Sequence, residues 1–376
     1  MTTDPTNAVA RLRDFGQSVY VDEIRRSWLD DGTLQAFVDR DGVRGVTSNP
    51  AIFQKAIAET DDYHGQIARL AAGGLDVPAL YEALVVDDIR RAADVFRPQW
   101  DASEGRYGWV SLEVSPRLAH DAERTIAEAE HLFGRVDRPN VFIKVPGTAA
   151  GVPAIRHLLR HGVPVNVTLL FGLERYREVH EAYLQAMEER VQAGEDPNVA
   201  SVASFFLSRI DVAVDPLLDD VAARGGELAP RAARLKGRVA VDNAKLAYRD
   251  WREVTASERW RALAGAGARP QRLLWASTGT KNPDYSPVMY VEPLIGPETV
   301  NTMPTATLDA YRERGEPDER IGDGVAGAEE RIADLAALGI DLDAVTARLE
   351  DEGVDKFVQP FEALMATLEK AVHEAS

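Results

Sequence analysis

Eight short runs of β-branched and other apolar residues recur along the chain, and stretches with helical spacing of apolar residues separate them. This alternation predicts parallel βαβ units, because parallel strands need a long crossover connection that is usually a helix. Eight such units favour a (β/α)₈ TIM barrel, and 376 residues leave room for extra helices. The predicted strands are residues 18–22, 43–47, 108–113, 140–144, 163–168, 199–204, 272–277 and, more weakly patterned, 298–303.

The segments between and after these strands predict additional helices. The two long intervals, 50–107 and 206–271, each have room for more than one helix. A doubly wound open sheet is the alternative fold, but neither GxGxxG nor a P-loop follows the first strand. We therefore expect one domain, 1–376, in which 305–376 is a mainly helical C-terminal extension packed on the barrel. Helical spacing is clearest in 119–133, 173–193, 253–263, 332–349 and 357–372.

Charge and composition exclude several classes of function. The chain has 43 Lys and Arg against 61 Asp and Glu, a net charge of −18, which disfavours nucleic acid and anionic membranes as partners. The absence of cysteine excludes disulfides, thiolate catalysis and Cys-ligated zinc. His157 and His161 have the spacing of a metal-binding pair, but no third ligand or HExxH motif accompanies them. We expect a metal-free, cytoplasmic protein, either a monomer or a homodimer.

Strand alternation predicts which side chains point into the barrel. In the fourth strand Val141 and Ile143 share the outer face, so Asn140, Phe142 and Lys144 point inward. A buried structural ion pair is the alternative role for this lysine. Six other predicted strands, all but the eighth, also carry inward polar residues near their C-terminal ends, where barrel active sites are built. By the same alternation the further inward residues are Tyr20, Asp22, Thr47, Asn49, Ser111, Glu113, Asn166, Thr168, Ser204, Phe206, Trp275 and Ser277.

This set of side chains indicates imine chemistry. A lysine surrounded by apolar residues is more readily neutral, and a neutral amine attacks a carbonyl to form a Schiff base. Asp22 and Glu113 then provide a general acid and a general base. Asn49 and Asn166 suit a polyhydroxylated substrate. The residues therefore predict cleavage or formation of a carbon–carbon bond in a ketose.

Five segments stand out along the chain: GVTSNP (45–50), SLE (111–113), NVFIKVP (140–146), NVTLLF (166–171) and ASFFLSRID (203–211). They resemble those of transaldolases, in the order and near the spacing of that family. The resemblance implies a (β/α)₈ barrel without metal or organic cofactor. It also implies transfer of a dihydroxyacetone unit from sedoheptulose 7-phosphate to glyceraldehyde 3-phosphate, in the non-oxidative pentose phosphate pathway. The products would be erythrose 4-phosphate and fructose 6-phosphate.

The resemblance also assigns catalytic roles. Lys144 matches the Schiff-base lysine of the family, and Asp22 matches the acid/base that acts on the C4 hydroxyl. Glu113 and Thr168 match the pair that orders the water used in carbinolamine formation and dehydration.

Other matched positions bind the substrate. Arg209 matches the phosphate-binding arginine, and Ser277 matches a second phosphate contact. Many members have an arginine two residues after that serine, where this chain has Gly279, so Lys281 is assigned as the nearest cation. The dihydroxyacetone unit would be held by Asn49, Asn166 and Ser204, with Phe206 on the same face as Ser204.

Two alternative functions remain open at this point. An aldolase of the fructose 6-phosphate type would use the same lysine but release free dihydroxyacetone. The long insertions and tail favour the transferase, because such aldolases are shorter. A non-catalytic sugar-phosphate-binding barrel would not need Lys144, Asp22, Glu113 and Thr168 together.

Overall fold

Eight parallel strands close into a barrel in chain order in the computed structural model, which describes residues 7–375. Closure is made by β8 against β1, paired in register from Gln17 with Thr299 to Val21 with Met303. The predicted (β/α)₈ fold is confirmed, and each predicted strand overlaps one observed strand. The strands are β1 Gln17–Val21, β2 Gly45–Val46, β3 Trp109–Glu113, β4 Val141–Pro146, β5 Val165–Leu170, β6 Ser201–Phe206, β7 Arg272–Ala276 and β8 Thr299–Met303.

Helices surround this barrel and fill both long intervals. The first interval holds α4 to α6 and the second holds α10 to α13, as the sequence predicts. Three short 3₁₀ segments, Leu12–Phe15, Pro116–Leu118 and Glu292–Leu294, lie in the connections. The helices are α1 Ala8–Arg11, α2 Arg26–Asp30, α3 Thr33–Asp41, α4 Pro50–Ala58, α5 His64–Ala72, α6 Val77–Ala102, α7 Ala122–Val136, α8 Gly151–Arg160, α9 Leu173–Gln192, α10 Ser208–Ala223, α11 Leu228–Leu235, α12 Val239–Thr255, α13 Glu258–Gly265, α14 Thr305–Arg314, α15 Val325–Ala337 and α16 Leu342–Ala375.

The strands are buried on both faces, as in other parallel sheets covered by helices. Inside the barrel, the rings of Trp109 and Phe142 stack at a centroid distance of 4.2 Å. Outside it, Phe205 makes an edge contact with Tyr176 of α9. Large apolar side chains thus fix the strands from both sides and leave the strand ends to carry polar groups.

Two predicted helices are interrupted in the structure. The predicted helix 253–263 is wrong as a single element, because α12 ends at Thr255 and α13 begins at Glu258. Ser257 lies between them and caps α13 by accepting a hydrogen bond from the Trp260 amide. The predicted helix 332–349 is also wrong as one element, because Gly339 adopts a left-handed φ of +81° between α15 and α16.

The last helix, α16, lies against α4, α5, α6 and α10 and reaches the strand β5. It has 34 residues and includes the predicted helix 357–372. Because these partners surround the C-terminal ends of the strands, α16 crosses that end of the barrel. The division into one domain with an extension stays a prediction. Between residues 7 and 375, no helix is both long and apolar enough to span a membrane.

Candidate active site

A cavity of about 220 Å³ opens at the C-terminal ends of the strands. Of the eleven predicted site residues, Glu113 and Asn166 do not line it. Both are nevertheless bonded to residues that do. The structure therefore brings together, in the cavity wall, Asp22, Asn49, Lys144, Thr168, Ser204, Phe206, Arg209, Ser277 and Lys281.

Lys144 lies at the bottom of this cavity, with only 4% of its surface exposed. Its Nζ is 2.9 Å from Glu113 Oε2 and donates a hydrogen bond of 3.2 Å to the Ser48 carbonyl. Lys144 and Glu113 are direct neighbours in the β3–β4 register. The ion pair considered from the sequence is therefore present, and the same lysine faces a cavity. A purely structural ion pair would not need a lysine that lines a cavity.

Glu113 and Thr168 provide oxygen atoms beside this amine. Burial raises the pKa of Glu113, and the Lys144 ammonium opposes that shift. Within residues 7–375, Glu113 Oε1 and Thr168 Oγ1 are buried and have no hydrogen-bond partner. Buried polar atoms are normally paired, so these two oxygens are available to a water molecule or a substrate.

Asp22 follows β1 and reaches the opposite side of the cavity. Its Oδ1 accepts a hydrogen bond of 2.6 Å from Thr47 Oγ1, which lies 2.6 Å from Thr302 Oγ1. Burial raises the pKa of Asp22, while the Thr47 bond and the Lys144 charge lower it. A raised pKa makes the carboxylate a stronger base, which suits a group that takes up a proton and returns it.

The two asparagines differ in their position, because Asn49 lines the cavity and Asn166 does not. Asn166 is fully buried beneath the cavity, where its Nδ2 donates to Ser111 Oγ at 3.0 Å and its Oδ1 accepts from Ser204 Oγ at 2.7 Å. Ser204 itself lines the cavity. Asn49 caps α4 through its Oδ1, which accepts from the Ile52 amide at 3.0 Å. The predicted contact of Asn166 with substrate is therefore indirect in this geometry, through Ser204.

Two cations mark one side of the cavity. Arg209 lies in the first turn of α10, and its guanidinium is 5.3 Å from the Phe206 ring centroid. Its Nη1 is buried without a hydrogen-bond partner in the described part of the chain. Burial lowers its pKa. Lys281 is exposed, and its Nζ lies 3.8 Å from the position that a Cβ at residue 279 would take. The ammonium of Lys281 therefore stands close to where a longer side chain at Gly279 would begin.

The prediction that Trp275 of β7 points into the barrel is wrong. Trp275 does not point inward, because its indole Nε1 donates to the Leu294 carbonyl and its ring makes an edge contact with the outward Phe205. Ala276 lines the cavity instead. Ser277 reaches the cavity because it lies after the strand and adopts a left-handed φ of +54°. Alternation does not extend beyond the last paired residue of a strand.

Besides Ala276, three cavity residues were not predicted from the sequence. Thr302 belongs to β8, and applying the alternation rule to the weakest predicted strand would have found it. Pro304 follows that strand directly. Phe357 comes from α16 and lies 5.5 Å from Lys144 Nζ and 5.7 Å from the Arg209 guanidinium, measured from its ring centroid. No local sequence signal distinguishes it from the other apolar residues of that helix.

Comparisons with known proteins agree with this geometry. The family described as transaldolase/fructose-6-phosphate aldolase matches residues 19–368. The protein called Transaldolase 2 from Nostoc sp. is 45% identical over 372 residues, covering 97% of this chain and 98% of its own. A transaldolase from Mycobacterium tuberculosis is 49% identical over 368 residues, 97% of each chain. A transaldolase from Thiobacillus denitrificans is 47% identical over 364 residues, covering 96% of this chain and 99% of its own.

Proposed function

This chain belongs to the transaldolase/fructose-6-phosphate aldolase family, and on that premise we propose how its residues transfer a three-carbon ketol unit between sugars. The protein acts as a transaldolase. The proposed donor is sedoheptulose 7-phosphate and the proposed acceptor is glyceraldehyde 3-phosphate, giving erythrose 4-phosphate and fructose 6-phosphate. The observation that carries the proposal is the buried Lys144–Glu113 pair, whose lysine lines a cavity that also contains hydroxyls, the Asn49 amide and two further cations.

The first step joins Lys144 to the donor ketose. Glu113, 2.9 Å away, takes the ammonium proton, and the raised pKa of Glu113 favours this transfer. The neutral amine attacks the C2 carbonyl and gives a carbinolamine. Glu113 then returns a proton to the departing hydroxyl, which leaves as water, and the Schiff base forms. Thr168 Oγ1, which has no partner among the described residues, orients this water with Glu113.

The second step breaks the C3–C4 bond. Asp22 takes the proton of the C4 hydroxyl, and the C4 oxygen becomes the aldehyde of the leaving sugar. The bonding electrons move to the protonated imine of Lys144 and produce an enamine of dihydroxyacetone. When the acceptor aldehyde arrives, the enamine carbon attacks it and Asp22 returns the proton to the new hydroxyl. Thr47, which donates to Asp22 at 2.6 Å, keeps the carboxyl oriented toward the cavity.

The remaining residues recognise the substrate. Asn49 and Ser204 bind hydroxyls of the three-carbon unit, with Asn166 orienting Ser204 from below. Arg209, Lys281 and Ser277 bind the terminal phosphate, because a guanidinium with an unpaired buried N–H suits a phosphate oxygen. Phe206 packs against Arg209 and fixes its direction.

We further propose that the protein binds phosphorylated sugars but neither nucleic acid nor membranes, and that it is a monomer or a homodimer in the cytoplasm. The net charge of −18 supports the exclusion of nucleic acid and anionic membranes. In such an acidic protein, Arg209 and Lys281 supply the positive charge that an anionic substrate requires.

Borohydride trapping tests the proposed roles of Lys144 and Asp22. The protein is incubated with fructose 6-phosphate, reduced, digested and analysed by mass spectrometry. We expect a three-carbon adduct on Lys144 in the wild type. Asp22→Ala should form the Schiff base but not cleave it, so a six-carbon adduct should accumulate on the same lysine. An adduct on Lys55, Lys245 or Lys281 would contradict the assignment of Lys144. A three-carbon adduct formed by Asp22→Ala at the wild-type rate would contradict the role of Asp22.

Acceptor dependence separates transfer from aldol cleavage. With fructose 6-phosphate alone, a transaldolase keeps the enamine and releases little dihydroxyacetone. Adding erythrose 4-phosphate as acceptor should start rapid turnover to sedoheptulose 7-phosphate. Rapid release of dihydroxyacetone without any acceptor would instead assign the protein to the aldolase branch of the family.

A further inference from the structure

The two proposed phosphate-binding cations belong to separate segments of the fold. Arg209 is in α10, whereas Lys281 and Ser277 are in the connection 277–298 between β7 and β8. One phosphate can contact both cations only if this connection is held at a fixed position against α10. Ser208 and Ser277 make one such attachment, with their hydroxyl oxygens 2.8 Å apart.

Two carboxylates one helical turn apart on α10 make a further pair of attachments. Asp211 accepts the Ala240 amide N–H on Oδ1 and the Tyr290 hydroxyl on Oδ2, both at 2.9 Å. Asp215 repeats the pattern. Its Oδ1 accepts the Gly237 amide N–H at 2.9 Å and its Oδ2 accepts the Tyr285 hydroxyl at 2.7 Å. With one oxygen, Asp211 joins α10 to the first turn of α12 and Asp215 joins it to the connection between α11 and α12. With the other oxygen, each aspartate reaches the β7–β8 connection.

The position of Tyr285, the partner of Asp215, is also restricted by close packing against Gly237. The Tyr285 ring lies 2.8 Å from the position that a Cβ at residue 237 would occupy. Any side chain at Gly237 would displace this ring, since real Cβ atoms do not approach other atoms so closely. Gly237 also has a left-handed φ of +65°, which glycine adopts without strain. The hydroxyl of Tyr285 thus has a defined position from which to reach Asp215.

Burying Asp211, the partner of Tyr290, costs free energy of folding. Asp211 is 1% exposed and forms no ion pair with any residue from 7 to 375. Burial raises its pKa to about 7. Burying a carboxylate without a neighbouring cation is unfavourable, and hydrogen bonds to the carboxylate offset part of that cost. Asp211 also lies only two residues after Arg209, so a change in its position is transmitted directly to the first turn of α10.

We propose that Asp211 and Asp215 are positioning residues for phosphate recognition. They hold Tyr290 and Tyr285, and through them the connection that carries Lys281, at the distance from Arg209 that one phosphate group requires. This inference rests on the proposed function, in which Arg209 and Lys281 bind the phosphate of the substrate. Neither aspartate contacts the reacting carbons, because neither lines the cavity.

The test removes single hydroxyl groups from the full-length enzyme. Tyr285→Phe, Tyr290→Phe and the double variant are assayed with fructose 6-phosphate and with unphosphorylated fructose, and inorganic phosphate is titrated as a competitive inhibitor. Each single variant should raise the KM for fructose 6-phosphate and the Ki for phosphate by about three- to tenfold, with kcat within about twofold and the fructose reaction unchanged. Tyr285 is only half-buried, so its variant keeps the test valid if Tyr290→Phe folds poorly.

Tyr63→Phe is the matched control. Tyr63 also donates to a buried aspartate, Asp88, at 2.6 Å, but on the opposite side of the barrel. This variant should lower the melting temperature without changing the ratio of the KM values for fructose 6-phosphate and fructose.

Arg209→Ala separates failure of this inference from failure of the proposed function. It should raise the KM for fructose 6-phosphate by about ten- to a hundredfold and leave fructose unaffected. If it affects both substrates equally, the proposed phosphate site is wrong and this inference falls with it. If Arg209→Ala is selective but the tyrosine variants alter both substrates equally, or neither, the aspartates serve only the fold and the inference alone is overturned.

Discussion

The two ends of the barrel differ in the kind of buried polar group that is left without a hydrogen-bond partner. At the N-terminal ends of the strands, Asn140 donates to the carbonyls of Ala93 and Gly108, and Gln17 donates to the carbonyl of Leu294. Even the buried Arg272 there donates to Ser18 Oγ and to the carbonyl of Arg106. Among the described residues, the amide oxygens of Gln17 and Asn140 are buried there without partners. At the C-terminal ends the unpaired buried atoms instead belong to the ionisable side chains of Glu113 and Arg209 and to the hydroxyl of Thr168.

This difference separates stability from chemistry. The amide donors at the N-terminal end hold connections in place, and the amide oxygens left unpaired there carry no charge. Charged groups with unused hydrogen-bonding capacity cost folding free energy, and a protein keeps them where a substrate will use them. Substitutions at the N-terminal end should therefore change stability, and those at the C-terminal end should change activity.

The largest expected effect is that of Lys144→Met. It should abolish turnover, by at least about a thousandfold, because no other residue supplies the imine nitrogen. The fold should persist, as measured by circular dichroism and thermal unfolding. Lys245→Met is the matched control, since Lys245 is also a buried lysine but donates to the carbonyls of Arg320 and Asp323. That control should lower stability and keep activity. Measurable turnover by Lys144→Met would break the comparison.

Asn140→Ala tests the other end of the barrel. It leaves the buried carbonyls of Ala93 and Gly108 without their donor, which should cost roughly 2–4 kcal/mol of unfolding free energy. Urea denaturation measures this loss, and activity per folded molecule should stay at the wild-type level. Asn166→Ala removes an equally buried amide at the active end and should lower activity as well. Equal losses of activity in the two variants would show that the ends are not functionally distinct.

The smallest expected effect concerns Asp22 and pH. Burial raises the pKa of Asp22 above its usual value, so the folded protein binds more protons than the unfolded chain in the acidic range. Ionisation of Asp22 therefore removes stability as the pH rises through its folded-state pKa. Asp22→Asn has no carboxyl group to ionise and does not lose this stability. The melting temperature of the variant minus that of the wild type should therefore increase from pH 4 to pH 8. A gap that stays constant or shrinks over this range would contradict the assignment of Asp22 as a carboxyl group held at an energetic cost.

Much of the fold and site could be predicted because the signals are local. Parallel strands covered by helices show continuous apolar runs, and these runs located all eight strands. Alternation within a strand placed Asp22, Glu113, Lys144 and Thr168 on the inner face. It failed at Trp275, which points outward, whereas Ser277 lines the cavity although it follows the strand with a left-handed φ. It also failed at Asn140, which precedes β4 and bonds to α6 instead.

The sequence by itself determined the strand pattern, the inward lysine and the short motifs, because each depends on residues within a few positions of one another. Only the tertiary structure decided which groups meet. The β3–β4 register pairs Glu113 with Lys144, and α16 brings Phe357 over both Lys144 and Arg209 from more than 140 residues away. The two aspartates of α10 likewise find their tyrosines only when the β7–β8 connection folds against that helix. Periodicity describes the faces of an element, but docking between elements depends on long-range packing that no local pattern records.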